Sequence, residues 1–341
     1  MPILTSAAFD DQVVLDIGKV ISIETRAYNN DGRVGFDLYR VVATCKHYAA
    51  NDFEDCMGTE RYGFDAIITT QELSEYYLPP FKTCAVEKNV GAFMCSYNGI
   101  NGTPLCANHY LLEDILRQHW NWESDEHYIT TDCDCVPLMV THHKFTDNYG
   151  EAAALAMKAS TNLECNSTPG AEFLISAWEQ GLISEEDVNK ALIRLMTALV
   201  TVGMFDPADG GQELREIGWD AVNTEAAQQL AYKAAVSVEV TNTGKVASDY
   251  VALLFQKNNA GPETLQNFVG LHKNQGYQPG DTASSGFEIT LERLVRVDED
   301  GNRVLYPGYY EFFVDLDAKS TVSFTLKGSP VLIEEFPQPR N

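Results

Sequence analysis

Tyr128-Ile-Thr-Thr-Asp-Cys-Asp-Cys135 is a short β-forming run that ends directly in two carboxylates. Ile129, Thr130 and Thr131 are β-branched, so Tyr128 to Asp132 reads as a buried strand. The same grammar recurs upstream. Arg40 to Cys45 is a β-branched strand candidate followed at once by Lys46-His47-Tyr48, and Val90 to Tyr97 is a second one that gives way to Asn98-Gly-Ile-Asn-Gly. Downstream, Asn162 to Cys165 is a fourth. Helical patterns lie between and around them. Asp10 to Arg26 carries apolar residues at helical spacing, and Thr69-Thr-Gln-Glu72 is a capping box for a helix expected to stop near Pro79-Pro80. Asn108 can cap a helix through Leu111, Ile115 and Leu116, Gly150 to Ser160 is alanine-rich, and Ser184-Glu-Glu-Asp187 opens a long helix through Leu199. Strands alternating with helices predict a parallel α/β sheet or barrel.

From about Ser237 the period changes to two. Ser237 to Thr241, Tyr250 to Gln256, Gly286 to Leu291, Tyr309 to Val314 and Thr321 to Leu326 read as strands, and Asp300-Gly301 as a hairpin turn between Val295–Val297 and Val304-Leu305. Short strands with frequent turns suit a small β-sandwich. Two domains follow: residues 1–236 as a catalytic (β/α) domain and 237–341 as the sandwich. A full (β/α) barrel needs eight strands and about 250 residues. Four strand candidates in the first domain mean that others escape the pattern or that the barrel is incomplete.

The 341 residues carry a formal charge of −25, with 45% hydrophobic and 21% charged residues, so the chain is globular and strongly acidic. Such a charge repels nucleic acid and anionic membranes but not a neutral sugar. All eight cysteines lie at or before Cys165. An even count suits disulfides in an oxidising compartment, and Cys95–Cys106 or a bridge between the Cys133 and Cys165 regions fits. Asn101-Gly-Thr and Asn166-Ser-Thr are glycosylation sequons. The Met1-Pro-Ile-Leu-Thr-Ser start shows no signal-peptide pattern, and no run is long and apolar enough to span a bilayer. Cys133-x-Cys135 with His142-His143 invites a zinc reading, but the spacing matches no usual site and a second ligand pair is lacking, so no metal or cofactor is expected.

Three strand ends could carry chemistry. Asp132 at the end of a parallel strand could attack an anomeric carbon or bind a metal, and equally reads as a turn cap. Lys46 and His47 can donate hydrogen bonds to sugar hydroxyls and favour a nearby ionised carboxylate, or form an ordinary polar loop. Tyr97 in Met94-Cys-Ser-Tyr-Asn98 can offer a ring face to a sugar, or belong to a plain Asn/Gly turn.

Taken together, these segments resemble glycoside hydrolase family 3 in its fungal-type β-xylosidase branch. The resemblance rests on Met1-Pro-Ile-Leu-Thr-Ser-Ala-Ala-Phe-Asp10, Val42-Ala-Thr-Cys-Lys-His-Tyr-Ala-Ala50, Gln71-Glu-Leu-Ser-Glu-Tyr-Tyr-Leu-Pro-Pro-Phe81, Met94-Cys-Ser-Tyr-Asn98, Tyr128-Ile-Thr-Thr-Asp-Cys133 and Gly203-Met-Phe-Asp-Pro207. Val240-Thr-Asn-Thr-Gly-Lys245 and Val297-Asp-Glu-Asp-Gly-Asn-Arg-Val304 look like the family's fibronectin type III-like domain. The resemblance implies an incomplete TIM-type barrel followed by a fibronectin type III-like sandwich. It implies a retaining exo-β-glycosidase, extracellular, that releases xylose from xylo-oligosaccharides. Asp132 then matches the nucleophile, Lys46 and His47 the pair that binds sugar hydroxyls, and Tyr97 a tyrosine lining the subsite.

The sequence also departs from the family's pattern. The family has more barrel before the Met1 segment. An arginine-bearing segment expected after Tyr39 is replaced by Arg40-Val-Val, and Tyr232-Lys-Ala-Ala-Val236 runs directly into Ser237, where the family inserts an α/β-sandwich domain carrying the acid/base glutamate. No residue matches that glutamate. The expectation is weak or absent activity on natural xylosides. The alternative is a non-catalytic sugar-binding remnant or an imperfect gene model.

Overall fold

The computed structural model describes residues 11–33, 42–165, 170–207, 213–236, 248–262, 268–277, 287, 289–314 and 320–339. By contacts the chain divides into two compact units: residues 1–39, 211–298 and 302–334, and residues 40–210, 299–301 and 335–341. The sequence pattern changes at 236, whereas the contacts group residues 211–236 with the strand-rich part.

The unit built on residues 40–210 is organised around a parallel sheet. Strands β1 (Thr44–Tyr48), β2 (Ala92–Cys95) and β3 (Tyr128–Thr131) lie in that order, with Cys45 opposite Phe93 and Phe93 opposite Ile129. Leu163 adds a fourth parallel position through a single bridge to Thr130. All four residues of β3 are buried, as a strand covered on both faces requires. Helices α1 (Tyr110–His119), α2 (Cys135–Thr141), α3 (Tyr149–Lys158), α4 (Gly170–Glu179) and α5 (Glu185–Thr201) connect and flank the sheet. Helix α1 buries Leu111, Leu112, Ile115 and Leu116 completely, in one cluster with Tyr48, Phe93 and Ile129. Each such side chain contributes about 1.5–3 kcal/mol.

The start signals read from the sequence are present. Thr69 and Glu72 form a reciprocal capping box, as do Ser184 and Asp187, and Asn108 Oδ1 accepts the Leu111 N–H at 3.1 Å. One stop signal misleads. The helical path expected to end near Pro79-Pro80 runs on through Pro79–Lys82 and Thr83–Glu87. The Leu78 N–H reaches back to the Leu73 carbonyl across a widened turn, so Pro79 enters a fresh first turn, where no proline N–H is needed. A second correction concerns β1. Lys46 and His47 lie inside the strand rather than after it, because pairing with β2 extends to Tyr48 opposite Cys95 through a register shift.

Three disulfides join Cys45 to Cys84, Cys95 to Cys106 and Cys133 to Cys165. The last two are pairings that the spacing suggested. They make Cys133 a disulfide sulfur rather than a thiolate ligand, while Cys135 is a buried free thiol.

The other unit contains helices Asp11–Asn30 and Glu225–Val236 and two antiparallel sheets. Strands β4 (Ser248–Asn258), β5 (Phe268–Tyr277), β8 (Gly308–Val314) and β9 (Ser320–Leu326) form one sheet, in the order β5-β4-β8-β9. Strands β6 (Val295–Val297), β7 (Arg303–Leu305) and β10 (Val331–Glu334) form the other. Leu254, Ala260, Leu294, Tyr310 and Phe312 form a buried apolar cluster in this unit. The Asp300-Gly301 turn joins β6 to β7 as expected, with Gly301 at φ +84°. Leu291 opens a short helical turn, Leu291–Leu294, instead of ending a strand. Ser237 to Thr241, Gly286 and Met1 to Asp10 lie outside the described residues. Among the described residues, no helix is long and apolar enough to cross a membrane.

Candidate active site

Parallel pairing brings successive strand ends together at one edge of the sheet. The Ser96 N–H after β2 donates to the Tyr48 carbonyl of β1 at 2.9 Å. The Asp132 N–H after β3 donates to the Cys95 carbonyl at 3.0 Å. The Cys165 N–H donates to Thr131 Oγ1 at 2.9 Å. Chemistry-bearing side chains far apart in sequence therefore meet because the backbone of each strand end is pinned to the next.

Three of the four residues singled out in the sequence converge here. His47 Nε2 lies 3.2 Å from Asp132 Oδ2, and the Asp132 side chain is only 17% exposed. The Cys133 N–H donates to Asp132 Oδ1 at 2.8 Å. The Tyr97 hydroxyl also hydrogen-bonds the Asp132 carboxylate. Burial alone would raise the Asp132 carboxyl. The bonds from His47, Cys133 and Tyr97 outweigh it and hold the group below the usual aspartate range. Burial first, and then the Asp132 charge, push the Tyr97 hydroxyl well above the ordinary tyrosine value, so it stays a donor. Asp132 is thus an ionised, oriented carboxylate with three donors on its two oxygens. The fourth residue, Lys46, is exposed on β1 and makes none of the contacts that join the other three.

Two further groups escaped the sequence reading. Arg61 follows the hairpin of Asp55–Cys56 and Thr59–Glu60, and its guanidinium lies 5.1 Å from the Tyr97 ring and 5.0 Å from the Tyr62 ring. Tyr62 packs edge-on to Tyr97 at 5.1 Å. Arg61 also meets Glu54 Oε1 at 2.9 Å. Stacking over aromatic faces holds the cation against the Tyr97 ring, whose hydroxyl bonds Asp132. Nothing in Glu60-Arg61-Tyr62-Gly63 signals this, because the contacts come from a strand end more than thirty residues away. The second group is Glu164, directly after Leu163, whose carboxyl is raised to about 7 by burial and then by the neighbouring Asp134 charge.

Chemically, an ionised carboxylate bonded by a histidine and a tyrosine, with an arginine against that tyrosine's ring, can attack an electrophilic carbon of a neutral polyol while neighbouring donors hold its hydroxyls. His143 Nε2 is engaged with the Tyr97 carbonyl at 2.7 Å, and His142 Nδ1 with the Thr141 hydroxyl at 2.9 Å. Among the described residues no group of three or more His, Cys, Asp or Glu could hold a metal ion.

Comparison with known proteins gives concordant results. The sequence profile of the glycosyl hydrolase family 3 N-terminal domain matches residues 12–198. The chain is 35% identical to a probable exo-1,4-β-xylosidase of Aspergillus flavus over 401 aligned residues, covering 98% of this chain and 51% of that protein. It is 41% identical to the exo-1,4-β-xylosidase of Emericella nidulans over 367, covering 87% and 48%. The chain thus spans about half the length of these relatives. Among solved structures, it superposes with a TM-score of 0.88 and 20% identity on a family 3 exo-β-xylosidase in complex with a xylobiose aziridine probe, covering 99% of this chain and 85% of that one. A β-glucosidase 3B from Thermotoga neapolitana matches with a TM-score of 0.67 and 12% identity, covering 97% and 88%. At these identities the structural likeness shows the fold alone, a TIM-like α/β barrel.

Proposed function

The chain belongs to glycosyl hydrolase family 3, and from that premise we propose that it is a retaining exo-β-glycosidase of the xylosidase type, acting on xylo-oligosaccharides outside the cell. The observation that carries the reading is the Asp132 carboxylate, fixed by His47, Tyr97 and the Cys133 N–H at the edge of a parallel sheet. Enzymes on such barrels place their reacting groups at the C-terminal strand ends.

In this proposal an Asp132 oxygen attacks the anomeric carbon, the bond to the leaving oxygen breaks, and a glycosyl ester forms with inversion. Water then attacks the same carbon and releases the sugar with a second inversion, so configuration is retained. His47 and Tyr97 keep Asp132 ionised and aimed. Lys46 and Arg61 offer donors to the sugar's hydroxyls, and the Tyr62 and Tyr97 rings a face to its apolar side. The strands β4 to β10 are read as the family's fibronectin type III-like sandwich.

Retaining chemistry needs a second carboxyl about 5–5.5 Å from the first to protonate the leaving group. In this sequence no residue matches the family's acid/base glutamate. Acid–base assistance is typically worth about 10²–10⁴-fold. We therefore propose that this chain turns over natural xylosides weakly or not at all and needs a leaving group that departs unaided. The test is hydrolysis of a 2,4-dinitrophenyl β-xyloside by the wild type and by Asp132→Asn. Turnover that vanishes in the variant supports Asp132 as nucleophile. Equal rates in the two, or no turnover by a cooperatively melting wild type, would leave only the reading of a sugar-binding remnant.

A further inference from the structure

Glu164 occupies an unusual place for a carboxyl. It sits where the fourth parallel position ends, between Leu163, which bridges Thr130, and Cys165, which is disulfide-bonded to Cys133. Both of its carboxyl oxygens are buried, and neither has a partner within hydrogen-bonding geometry. Around it stand the Thr131 hydroxyl and the backbone N–H groups of Asp134 and Val136. These belong to the turn that carries Asp132. In that turn Asp134 has a left-handed backbone at φ +70°, unusual for a residue with a Cβ, and Cys133 presents its N–H to Asp132 Oδ1.

We propose that Glu164 is a positioning residue for Asp132: its carboxyl lies under turn 132–136, and gaining or losing a proton changes how that turn presents the Asp132 carboxylate. This rests on the reading of Asp132 as a nucleophile. Ionised, Glu164 draws the Asp134 and Val136 N–H groups and the Thr131 hydroxyl toward itself. Protonated, it loses most of that pull and becomes a donor. The path to Asp132 is short. It runs through the Asp134 and Cys133 peptide units to the N–H that holds Oδ1, and it is closed from the other side by the Cys133–Cys165 bond. Buried polar groups are normally satisfied, so two bare oxygens aimed at the nucleophile's turn call for an explanation, and this one uses both. The titratable groups acting on Glu164 among the described residues are Asp134 and the buried Cys135 thiol on the same turn, and Asp132 acts on that same thiol. Burial and Asp134 bring the Glu164 carboxyl to about 7, where a change of proton occurs at working pH.

The experiment uses the full chain with ¹³C-labelled aspartate carboxyls, the Asp132 signal being assigned by its loss in Asp132→Asn. The wild-type signal is expected to show a step near neutral pH that Glu164→Gln removes. Thr131→Val, which takes a donor from the ionised form, should move the step to higher pH. A neutral step that is identical in Glu164→Gln, or a wild-type signal without one, overturns the proposal.

Trapping by 2,4-dinitrophenyl 2-deoxy-2-fluoro-β-xyloside separates this inference from its parent. There the Asp132 oxygen bonds to the anomeric carbon and dinitrophenolate leaves with the electron pair, so no acid is needed. Glu164→Gln should slow trapping by about 10–100-fold, the cost of a nucleophile misplaced by about 1 Å, and flatten its neutral pH dependence. Trapping unchanged in rate and profile overturns the positioning role while the nucleophile stands. No trapping of the wild type, with the neutral carbon step present, overturns the nucleophile while the link between Glu164 and Asp132 stands.

Discussion

Two buried polar clusters of the same unit can be set side by side. At the strand ends, Asp132 follows β3 and Glu164 follows the bridged Leu163, with His47 and Tyr97 on Asp132 and turn amides beside both. Among the helices, Glu113 of α1 accepts the Ser160 hydroxyl at 2.6 Å, Arg194 of α5 donates to that hydroxyl at 2.9 Å, and Arg117 of α1 reaches Asn162 Oδ1 at 3.1 Å. Asn162 Oδ1 also accepts the Ile129 N–H at 3.0 Å, which ties the network to β3. Both clusters bury charge. In the helical one Glu113 faces two arginines, and the contacts tie α1 and α5 to the Ser160–Asn162 segment. At the strand ends the carboxylates face weak or titratable donors, and one has two bare oxygens. Burial of charge alone therefore does not mark function. Both clusters also leave buried charged atoms without a hydrogen bond, Arg117 Nε and Arg194 Nε among the helices and both Glu164 oxygens at the strand ends, so the difference lies in the partners: arginines in one, a histidine, a tyrosine and turn amides in the other.

That contrast breaks most sharply under substitution. Asp132→Asn keeps the shape and removes the attacking oxygen's charge, and trapping by the fluoroxyloside should fall by about 10⁴-fold or more, with the melting temperature little changed. Glu113→Gln should do the reverse. Burial would raise the Glu113 carboxyl, but the Ser160 hydroxyl, Lys190, Arg117 and Arg194 hold it below the usual range. Removing its charge leaves Arg117 and Arg194 buried together, so unfolding in urea should show a loss of about 3–5 kcal/mol. Trapping per folded molecule should stay unchanged. A Glu113→Gln protein of wild-type stability would mean that the helical network is not held together by its charges.

The sequence exposed one of these clusters better than the other, for a physical reason. Asp132, His47 and Tyr97 were legible because each follows or ends a β-forming run, and parallel strands align their ends. The capping boxes at Thr69 and Ser184 and the turn at Asp300-Gly301 were legible because they are local. Arg61, Glu164 and the Glu113–Arg194 network were not. Their meaning comes from pairing across the sheet or between helices, and each is locally an ordinary charged residue. The extension of β1 to Tyr48 escaped for the same cause, since it is fixed by the partner strand and not by the β-propensity of Lys46-His47. The Pro79-Pro80 signal failed because a widened preceding turn supplied a new helix start.

Within the strand-end cluster, His47→Gln sharpens the account of Asp132. Burial remains to raise the carboxyl, and the largest of the opposing bonds is weakened. The acidic limb of the trapping profile should move to higher pH. The stability that ionised Asp132 contributes, present above the unfolded value of 3.8 and lost as pH falls through the lower folded value, should shrink accordingly. An acidic limb that does not move would assign the lowering to the Cys133 N–H and Tyr97 alone.

The smallest expected effect concerns Glu164, and its sign is opposite to that of Asp132. Burial, then Asp134, raise the folded carboxyl from its ordinary value of 4.5 to about 7. A raised carboxyl favours the protonated native state. Its contribution to stability is therefore full below 4.5 and is lost as pH rises toward and through 7. Glu164→Gln carries no charge at any pH. Relative to the wild type the unit that holds Glu164 should melt higher at pH 8, by about 2–4 °C for each kcal/mol relieved in a unit of roughly 180 residues, with the difference disappearing by pH 4. The same variant is expected to trap more slowly, so stability and reactivity would move in opposite directions on one substitution. That divergence is what separates a carboxyl kept under a nucleophile's turn at a cost in stability from one that merely packs there. A Glu164→Gln protein that melts lower at pH 8 would place Glu164 with Glu113, among the charges that hold the unit together.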